Sequence, residues 1–564
     1  MTSIRRREVV TRRLDWPDDV HPVLRQVLER RPLESLDELA LELKALRPVG
    51  QFEALDAGVE LLLKHRDAPI VIVGDFDADG ATSTALMWLT LRDLGFARVG
   101  FKIPDRFADG YGLSRGLVER LAADAAELPK LIVTVDNGIG SHDGVAAARE
   151  RGIDVLITDH HLPPAVLPAA NVIVNPNCTG TAFGGKSLAG VGVAFYLLAA
   201  LGRAAGQPAA VTRYLDLVAL GTVADLVPLD QSNRILVEQG LKRIRAGQCR
   251  PGLQQLVAVA GEELASVTTA SLGYKLGPRL NAAGRLDDMT IGVQCLITDS
   301  PDDARRLAVT LDQLNRDRQS IEAEMKADAI DIVDGLQLSD ETLPPVICLM
   351  QSHWHEGLVG LVASRVKERY HRPSFAFAPS GSSRLKGSGR SISGFHLRDA
   401  LADVAAANPS LIERFGGHAM AAGLTLAASA YDDFVAAMTA VAAKRLAPET
   451  LSREVLTDGE LDAADLTLPV AALLRDALPW GQGFPEPCFD NRFELIERRV
   501  LKDAHLKLKL KPVDGGQAVD AIAFHQADVA WSAGTVRRIA YRLAVNDYYA
   551  QAKVQLIVEH VAPA

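Results

Sequence analysis

Residues 69–84 read PIVIVGDFDADGATST, which places Asp75, Asp77 and Asp79 at every second position directly after a short β-branched run. Carboxylates this close repel, and crowding raises their pKa values and costs stability unless a cation neutralises them. A divalent metal is the first chemistry this spacing calls for. The string D-x-D-x-D-G also matches the first six positions of an EF-hand calcium loop. That loop needs a bidentate glutamate at its twelfth position, which here is Leu86, and a helix rather than a strand before it. The calcium reading fails on both counts, and the remaining competitor to a metal site is an acidic, solvated turn.

Further apolar runs end the same way. Beyond Leu131 to Val135 lies Asp136 in DNG, beyond Val155 to Thr158 lie Asp159, His160 and His161, and ALGTVADLVPL contains the lone carboxylate Asp225. Strand carboxyl ends in an open α/β sheet converge on one crevice, so residues distant in sequence become neighbours there. Successive strand ends carrying hard ligands argue against solvated turns. Carboxylates and imidazole without thiolate suit Mn2+ or Mg2+. There are enough ligands for two ions, the arrangement used for in-line displacement at phosphorus. Gly80 and Gly138 are expected to supply the tight turns of such a site.

The elements that must hold these groups follow from apolar patterning. A chain of 564 residues is too long for one core. Strands are predicted at Ile70 to Val73, Val99 to Ile103, Leu131 to Val135 and Val155 to Thr158, with helices between them at Thr82 to Leu94 and Gly144 to Arg151. This alternation predicts an α/β multidomain protein with a parallel, doubly wound sheet over residues 51–245. Residues 1–50 read as a charged helical extension. Residues 246–344 read as helical, ending in a long helix that starts at Ser300 and Pro301. Leu307, Leu311, Leu314, Ile321, Met325 and Ile332 recur along it as far as Gly335. Thirty-odd residues at 1.5 Å each make a rod of about 50 Å, suited to connecting two lobes, and Arg318 at a stripe position favours that over a plain core helix. A second α/β region is predicted at 345–450. In 455–564, the stretch HLKLKLK alternates strictly, and short strands with polar turns and no strong helix predict a small barrel.

Bulk composition narrows the class. The chain is 48% hydrophobic and 23% charged, as in ordinary soluble proteins. A net charge of -10 argues against non-specific nucleic-acid binding without bearing on a local groove. Cys178, Cys249, Cys295, Cys348 and Cys488 are far apart and never form CxxC, which excludes a disulfide framework or cysteine zinc site and points to a reduced, cytoplasmic protein. The N-terminus MTSIRRREVVTRRLDW has no apolar core of a signal peptide. The uncharged run SLAGVGVAFYLLAALG, residues 187–202, is shorter than the roughly 18–20 residues a spanning helix needs, so a buried helix is predicted and no membrane contact.

DFDADG, DNG, DHH and GTVADLVPL, in this order and spacing, resemble the DHH phosphoesterase superfamily, and the full motif set resembles its RecJ family of single-strand DNA exonucleases. The resemblance extends through PDRFADGYG, GPRLNAAGR, HEGLVGLVASR, GSGRS, GGHAMAAG and PWGQGFPEP, nearly the whole chain from residue 50. It implies a DHH catalytic domain at 51–245 joined by the long helix to a DHH-associated nucleic-acid-binding domain at 345–450, then an oligonucleotide-binding (OB) barrel at 455–564. By the same resemblance Asp75, Asp77, Asp79, Asp136, His160 and Asp225 are metal ligands, with Asp136 bridging. Asp136, His160 and His161 are catalytic, and His161 either ligates or orients. Asp159 turns away from the metals and caps the next segment of chain. Arg279, Ser388 and Arg390 match positions holding a terminal 5′-phosphate, and Arg106 meets the scissile region. Asn281, His355 and His418 also face substrate. Lys507 and Lys509, with Lys511, would follow a strand of phosphates, with an ordinary solvated strand face as the alternative. PWGQGFPEP carries Phe484 where many members have asparagine.

The implied activity is 5′→3′ degradation of single-stranded DNA to 5′-mononucleotides by two-metal hydrolysis with Mn2+ or Mg2+, in recombinational and mismatch repair. A RecQ-type helicase and a single-strand binding protein are the implied partners, and a monomer the implied state. The alternatives are a small-substrate DHH phosphoesterase of oligoribonuclease or pyrophosphatase type, and an inactive single-strand-binding scaffold.

Overall fold

The computed structural model describes residues 2–10, 14–106, 108–124, 127–335, 343–527, 529–547 and 551–562. Two compact units divide the chain: Met1–Glu8 with Arg316–Ala471 and Pro487–Ala564, and Val9–Asn315 with Ala472–Glu486. The first described element is a strand, β1 (Thr2–Arg6), and the only α-helix among the described residues of 1–50 is Pro22–Leu28, followed by short 3-10 turns. This corrects the helical extension predicted for 1–50. Five residues reading TSIRR have no periodicity of their own, and only a distant partner strand makes them β.

In the Val9–Asn315 unit, β2 (Ile70–Val73), β3 (Val99–Lys102), β4 (Leu131–Val135), β5 (Asp154–Thr158) and β6 (Val172–Val174) form one sheet in the order β3-β2-β4-β5-β6. Every pairing in it is parallel. All residues of β4 are buried, as expected for a central strand covered on both faces. β6 was not predicted; its three residues are too few to show a pattern. The helix after β2 runs Ala78–Asp93 and starts earlier than its apolar pattern, because the Asp77 side chain caps it by accepting from the Gly80 amide at 3.0 Å. The uncharged run folds as the buried helix Gly190–Ala204, and Leu215–Ala224 ends at Asp225.

The long helix spans Pro301–Gly335, and the division between the two units falls within it, after Asn315. Arg318, at an apolar stripe position, is accommodated there by Glu322, which Arg365 also holds at 2.9 Å. The next sheet, ordered β10-β11-β9-β8-β7, comprises β7 (Ile347–Met350), β8 (Ser374–Ser380), β9 (Arg384–Arg390), β10 (Arg414–Gly417) and β11 (Ala421–Ala427). Phe375, Phe377, Phe434 and Met438 anchor its core. β12 (Arg453–Thr457) is the parallel partner of β1.

A closed barrel comes next, ordered β13-β14-β15-β17-β16 and built from β13 (Phe489–Leu501), β14 (His505–Pro512), β15 (Val519–Ala523), β16 (Val536–Asn546) and β17 (Lys553–Val561). The prediction of no strong helix in 455–564 is corrected: Leu468–Asp476 is helical, and Ala472–Glu486 packs with the first sheet's unit rather than with the barrel. Those residues carry large apolar side chains that find their cover there. Leu506, Leu508 and Leu510 fill the barrel, while Lys507, Lys509 and Lys511 point outward. The lysine face is not uniformly basic. Lys511 stands opposite Glu494, and Lys509 opposite Glu497 and Asp520. Among the described residues no helix is long and apolar enough to cross a membrane.

The alternation sets unequal costs along one strand. Leu508→Ala should lower the unfolding free energy by about 2–5 kcal/mol in a denaturant titration, while Lys509→Ala should change it by no more than about 0.5 kcal/mol; equal effects would contradict this inside–outside assignment.

Candidate metal centre

The carboxyl ends of β2, β4 and β5 and the end of the Leu215–Ala224 helix bring the predicted ligands together. Asp75, Asp77 and Asp136 offer oxygens within 4.8 Å of one another, as do the ligand atoms of Asp79, His160 and Asp225 and those of Asp136, His160 and His161. His160 Nε2 lies 3.2 Å from Asp136 Oδ1 and 3.4 Å from Asp225 Oδ2. Asp136 and His160 each belong to two of these trios, so Asp136 is placed where a shared carboxylate would be. Asp75, Asp79 and Asp136 are buried.

Asp79, Asp75 and Asp136 are aimed by separate devices. Asp79 accepts from the Gly190 and Val191 amides at 2.6 and 2.9 Å, the first turn of a helix that supplies partial positive charge. Asp75 Oδ1 accepts from Phe76 N. Asp136 has φ 61°, a left-handed conformation that strains a non-glycine residue. Its N–H donates to Thr158 O at 3.0 Å, and the Tyr111 hydroxyl donates to its carbonyl at 3.2 Å. Gly138 at φ 113° completes the tight turn after it. Gly80 does not form such a turn. It sits in the helix, where a Cβ would lie 2.6 Å from Asp75, so its contribution is close approach.

Asp159 faces away from the ligand cluster. Its Oδ1 accepts from the His160 and His161 amides and contacts His161 Nδ1 at 2.8 Å, and its Oδ2 accepts from Ile139 N. Burial opposes protonation of His161, but the Asp159 hydrogen bond and the surrounding carboxylates outweigh it and raise its pKa to about 9. Burial, followed by the charge of Asp77, raises Asp79 to about 7. Burial and neighbouring carboxylates push Asp75, Asp136 and Asp225 well above the ordinary range.

These residues fit a pair of hard divalent cations. Asp136 Oδ1 and Asp225 Oδ2 are buried without a hydrogen-bond partner among the described residues. A Cβ at Gly190 would lie 2.5 Å from Asp136 Oδ1, so only glycine leaves that oxygen room. The donors are carboxylate and imidazole, as oxygen-loving ions require.

The substrate candidates are differently placed. The Arg106 guanidinium lies 4.0 Å from the Phe76 ring centroid; burial lowers its pKa while Asp75 and Asp77 pull it up. Arg279 is committed to Asp312, with Nε and Nη2 at 3.0 and 2.9 Å. Asn281 Oδ1 accepts from Ala78 N at 2.8 Å, so it holds the aspartate loop. In the other unit, Arg390 Nη1 donates to Ser388 Oγ at 3.0 Å; burial lowers its pKa, and among the described residues no carboxylate is within ion-pair distance. His355 Nδ1 accepts from Gly357 N, shaping a turn, and His418 is exposed. Unpredicted participants are Phe76, Tyr111, Gly190 and Asn137, whose amide ties β2 to β4 through Val73 O and Val135 O. Tyr111 lies within PDRFADGYG and could have been flagged there; nothing in the apolar run marks Gly190.

Comparison with known proteins agrees with this geometry. Residues 69–222 match the DHH family N-terminal domain, 343–444 the DHHA1 domain and 457–560 the RecJ OB domain. The chain is 47% identical to the single-stranded-DNA-specific exonuclease RecJ of Dickeya dadantii, over 100% of this chain and 99% of that one. The chain belongs to the RecJ family. Two crystal structures of RecJ from Thermus thermophilus are similar to it. The complex with Mn2+ has a TM-score of 0.77 and 30% identity, covering 93% of this chain and 76% of that one. The complex with Mg2+ has a TM-score of 0.73 and 28% identity, covering 96% and 74%.

With its folded pKa raised above the unfolded value, Asp79 weakens the metal-free fold as pH rises from the carboxylate range to about 7. Cation binding reverses that loss and expels the proton. Mn2+ affinity measured by calorimetry should therefore fall by about tenfold or more for each pH unit below 7, with protons released to buffer; an affinity independent of pH between about 5.5 and 7 would contradict it.

Proposed function

We propose that this chain is a metal-dependent exonuclease that degrades single-stranded DNA from its 5′ end to 5′-mononucleotides. The observation that carries this is the convergence of five carboxylates and two imidazoles into overlapping trios, in a chain that matches a single-stranded-DNA-specific exonuclease from end to end. Asp75, Asp77 and Asp136 would hold one Mn2+ or Mg2+ ion and Asp79, His160 and Asp225 the other, with Asp136 shared. Bound there, the ions supply Lewis-acid activation for hydrolysis of a phosphodiester.

The chain's own groups do the rest. Asp159 orients His161 beside the Tyr111 hydroxyl, and His161 would offer its imidazole to the phosphodiester as a hydrogen-bond donor. Arg106, desolvated against Phe76, offers a guanidinium to the phosphate undergoing attack. Arg390, half-buried beside Ser388 without a carboxylate, suits a terminal 5′-phosphate and so sets polarity. Arg279, in the other unit, could offer a phosphate only a charge already shared with Asp312. The barrel's lysine face, interleaved with Glu494, Glu497 and Asp520, contributes less to holding DNA than its sequence promises. Recombinational and mismatch repair, with a RecQ-type helicase and a single-strand binding protein as partners, are the roles this activity fits. A monomer acting in the cytoplasm completes the proposal.

A long single strand, internally labelled and carrying a 3′ fluorophore, should yield early mononucleotides with Mn2+ and none with chelator or a blocked 5′ end. Asp136→Ala should reduce the rate by at least about 10³-fold while retaining DNA binding. Cleavage confined to short oligonucleotides would favour a small-substrate phosphoesterase, and binding without cleavage in any metal a scaffold.

A further inference from the structure

We propose that the turn from Trp480 to Phe484, distant in sequence from every metal ligand, positions Asp225 for metal binding. Asp225, like Asp136 and unlike Asp75 and Asp79, is held through its backbone rather than by donors to its carboxylate. Asp79 takes two backbone amides and Asp75 one, but among the described residues no amide or hydroxyl donates to the Asp225 carboxylate, whose contact is His160 at 3.4 Å. Its direction therefore depends on its own backbone. That backbone is special: Asp225 is the C-cap of Leu215–Ala224, and Leu226 follows at φ 60°, left-handed and side chain outward at 66% exposure. A leucine keeps this conformation only where flanking structure imposes it.

The flanking structure is a strap, residues 226–230, clamped from both sides. From below, Arg234 Nη1 donates to Leu229 O at 2.9 Å and Asn233 Nδ2 to Pro228 O at 2.8 Å. From above, Leu229 N donates to Gln482 O at 2.7 Å. Gly481 lies so close that a Cβ there would meet Leu229 Cδ1 at 2.7 Å.

The upper clamp is itself rigid. Trp480 and Phe484 stack with centroids 5.3 Å apart, and the Gly481 and Phe484 backbones exchange hydrogen bonds. The Arg234 guanidinium lies over the Phe484 ring at 4.3 Å, and Arg31 lies 5.7 Å from the Trp480 centroid while donating to Pro485 O. Arg234 thus grips the strap and the Phe484 ring with one side chain. Displacing that ring removes one support of a guanidinium that Glu38 O also holds at 3.1 Å, and so loosens the strap and the left-handed residue in turn. The ligands on β2, β4 and β5 hang on other elements.

This rests on the two-ion reading of the site, and the test separates them. The full chain, Phe484→Leu, Gly481→Ala, Asp225→Asn and Phe484→Leu with Asp225→Asn are titrated with MnCl2 by calorimetry, alongside thermal unfolding without metal. Phe484→Leu and Gly481→Ala should each weaken the ion that Asp225→Asn weakens, by about 10–100-fold, with any other ion unaffected. The double variant should lose no more than Asp225→Asn alone. Wild-type affinity in both clamp variants, additive losses in the double variant, or parallel weakening of both ions with a lowered melting temperature would overturn the proposal. Should the wild type bind a single ion, the two-ion reading falls, and the clamp is still judged by whether Phe484→Leu reproduces Asp225→Asn.

Discussion

Mutual repulsion among buried carboxylates is the constraint on which the Val9–Asn315 unit is built. Asp75, Asp79 and Asp136 are taken out of water within a few ångströms of one another, and burial with neighbouring charge lifts each pKa. Left alone, such a cluster would protonate or open. Backbone donors offset part of that cost. The amides of Gly190 and Val191 hold Asp79, the Gly80 amide holds Asp77, and both belong to the first turns of helices, where unpaired N–H groups and the dipole favour negative charge. Asn281 and Asn137 then tie the loop and strand ends in place. The remaining charge is left for cations.

Recognition of anionic substrate follows the opposite electrostatic logic. The most conspicuous basic feature of the sequence is the lysine stripe on β14, yet exposed Lys509 and Lys511 stand opposite acids on the adjoining strands, and Lys507 alone stands opposite another cation, Arg499. Exposed pairs of this kind are worth little and are screened by salt. Arg390 is the stronger candidate because its guanidinium is desolvated and has no carboxylate to satisfy it, so an arriving phosphate gains a charge-assisted bidentate partner. Arg279 is intermediate, half-buried and paired with Asp312. The number of basic residues is a poorer guide than their desolvation.

Much of this was legible in the sequence because the relevant signals are local. β-branched runs ending on Asp75, Asp136 and Asp159 identify parallel strands and candidate ligands together, since strand polarity alone carries their ends to one crevice. Strict alternation in HLKLKLK fixes which side chains enter the barrel, as a period of two leaves no other register. Pro301 and the apolar stripe mark the long helix at both ends. What stayed hidden was non-local. β1 is a strand because residues 453–457 pair with it, and Ala472–Glu486 joins the Val9–Asn315 unit because its aromatic residues are covered there by Arg31 and Arg234.

The sequence by itself determined the candidate metal ligands, the fold class and the inward face of the barrel, because residue type, strand direction and periodicity act over a few residues. Only the tertiary structure decided what each group is free to do. It showed that Asn281 braces the aspartate loop, that Arg279 is already paired, that Asp159 fixes His161, and that Gly190 clears space for Asp136. Those outcomes depend on burial and on partners up to a hundred or more positions away, and neither is encoded in local spacing.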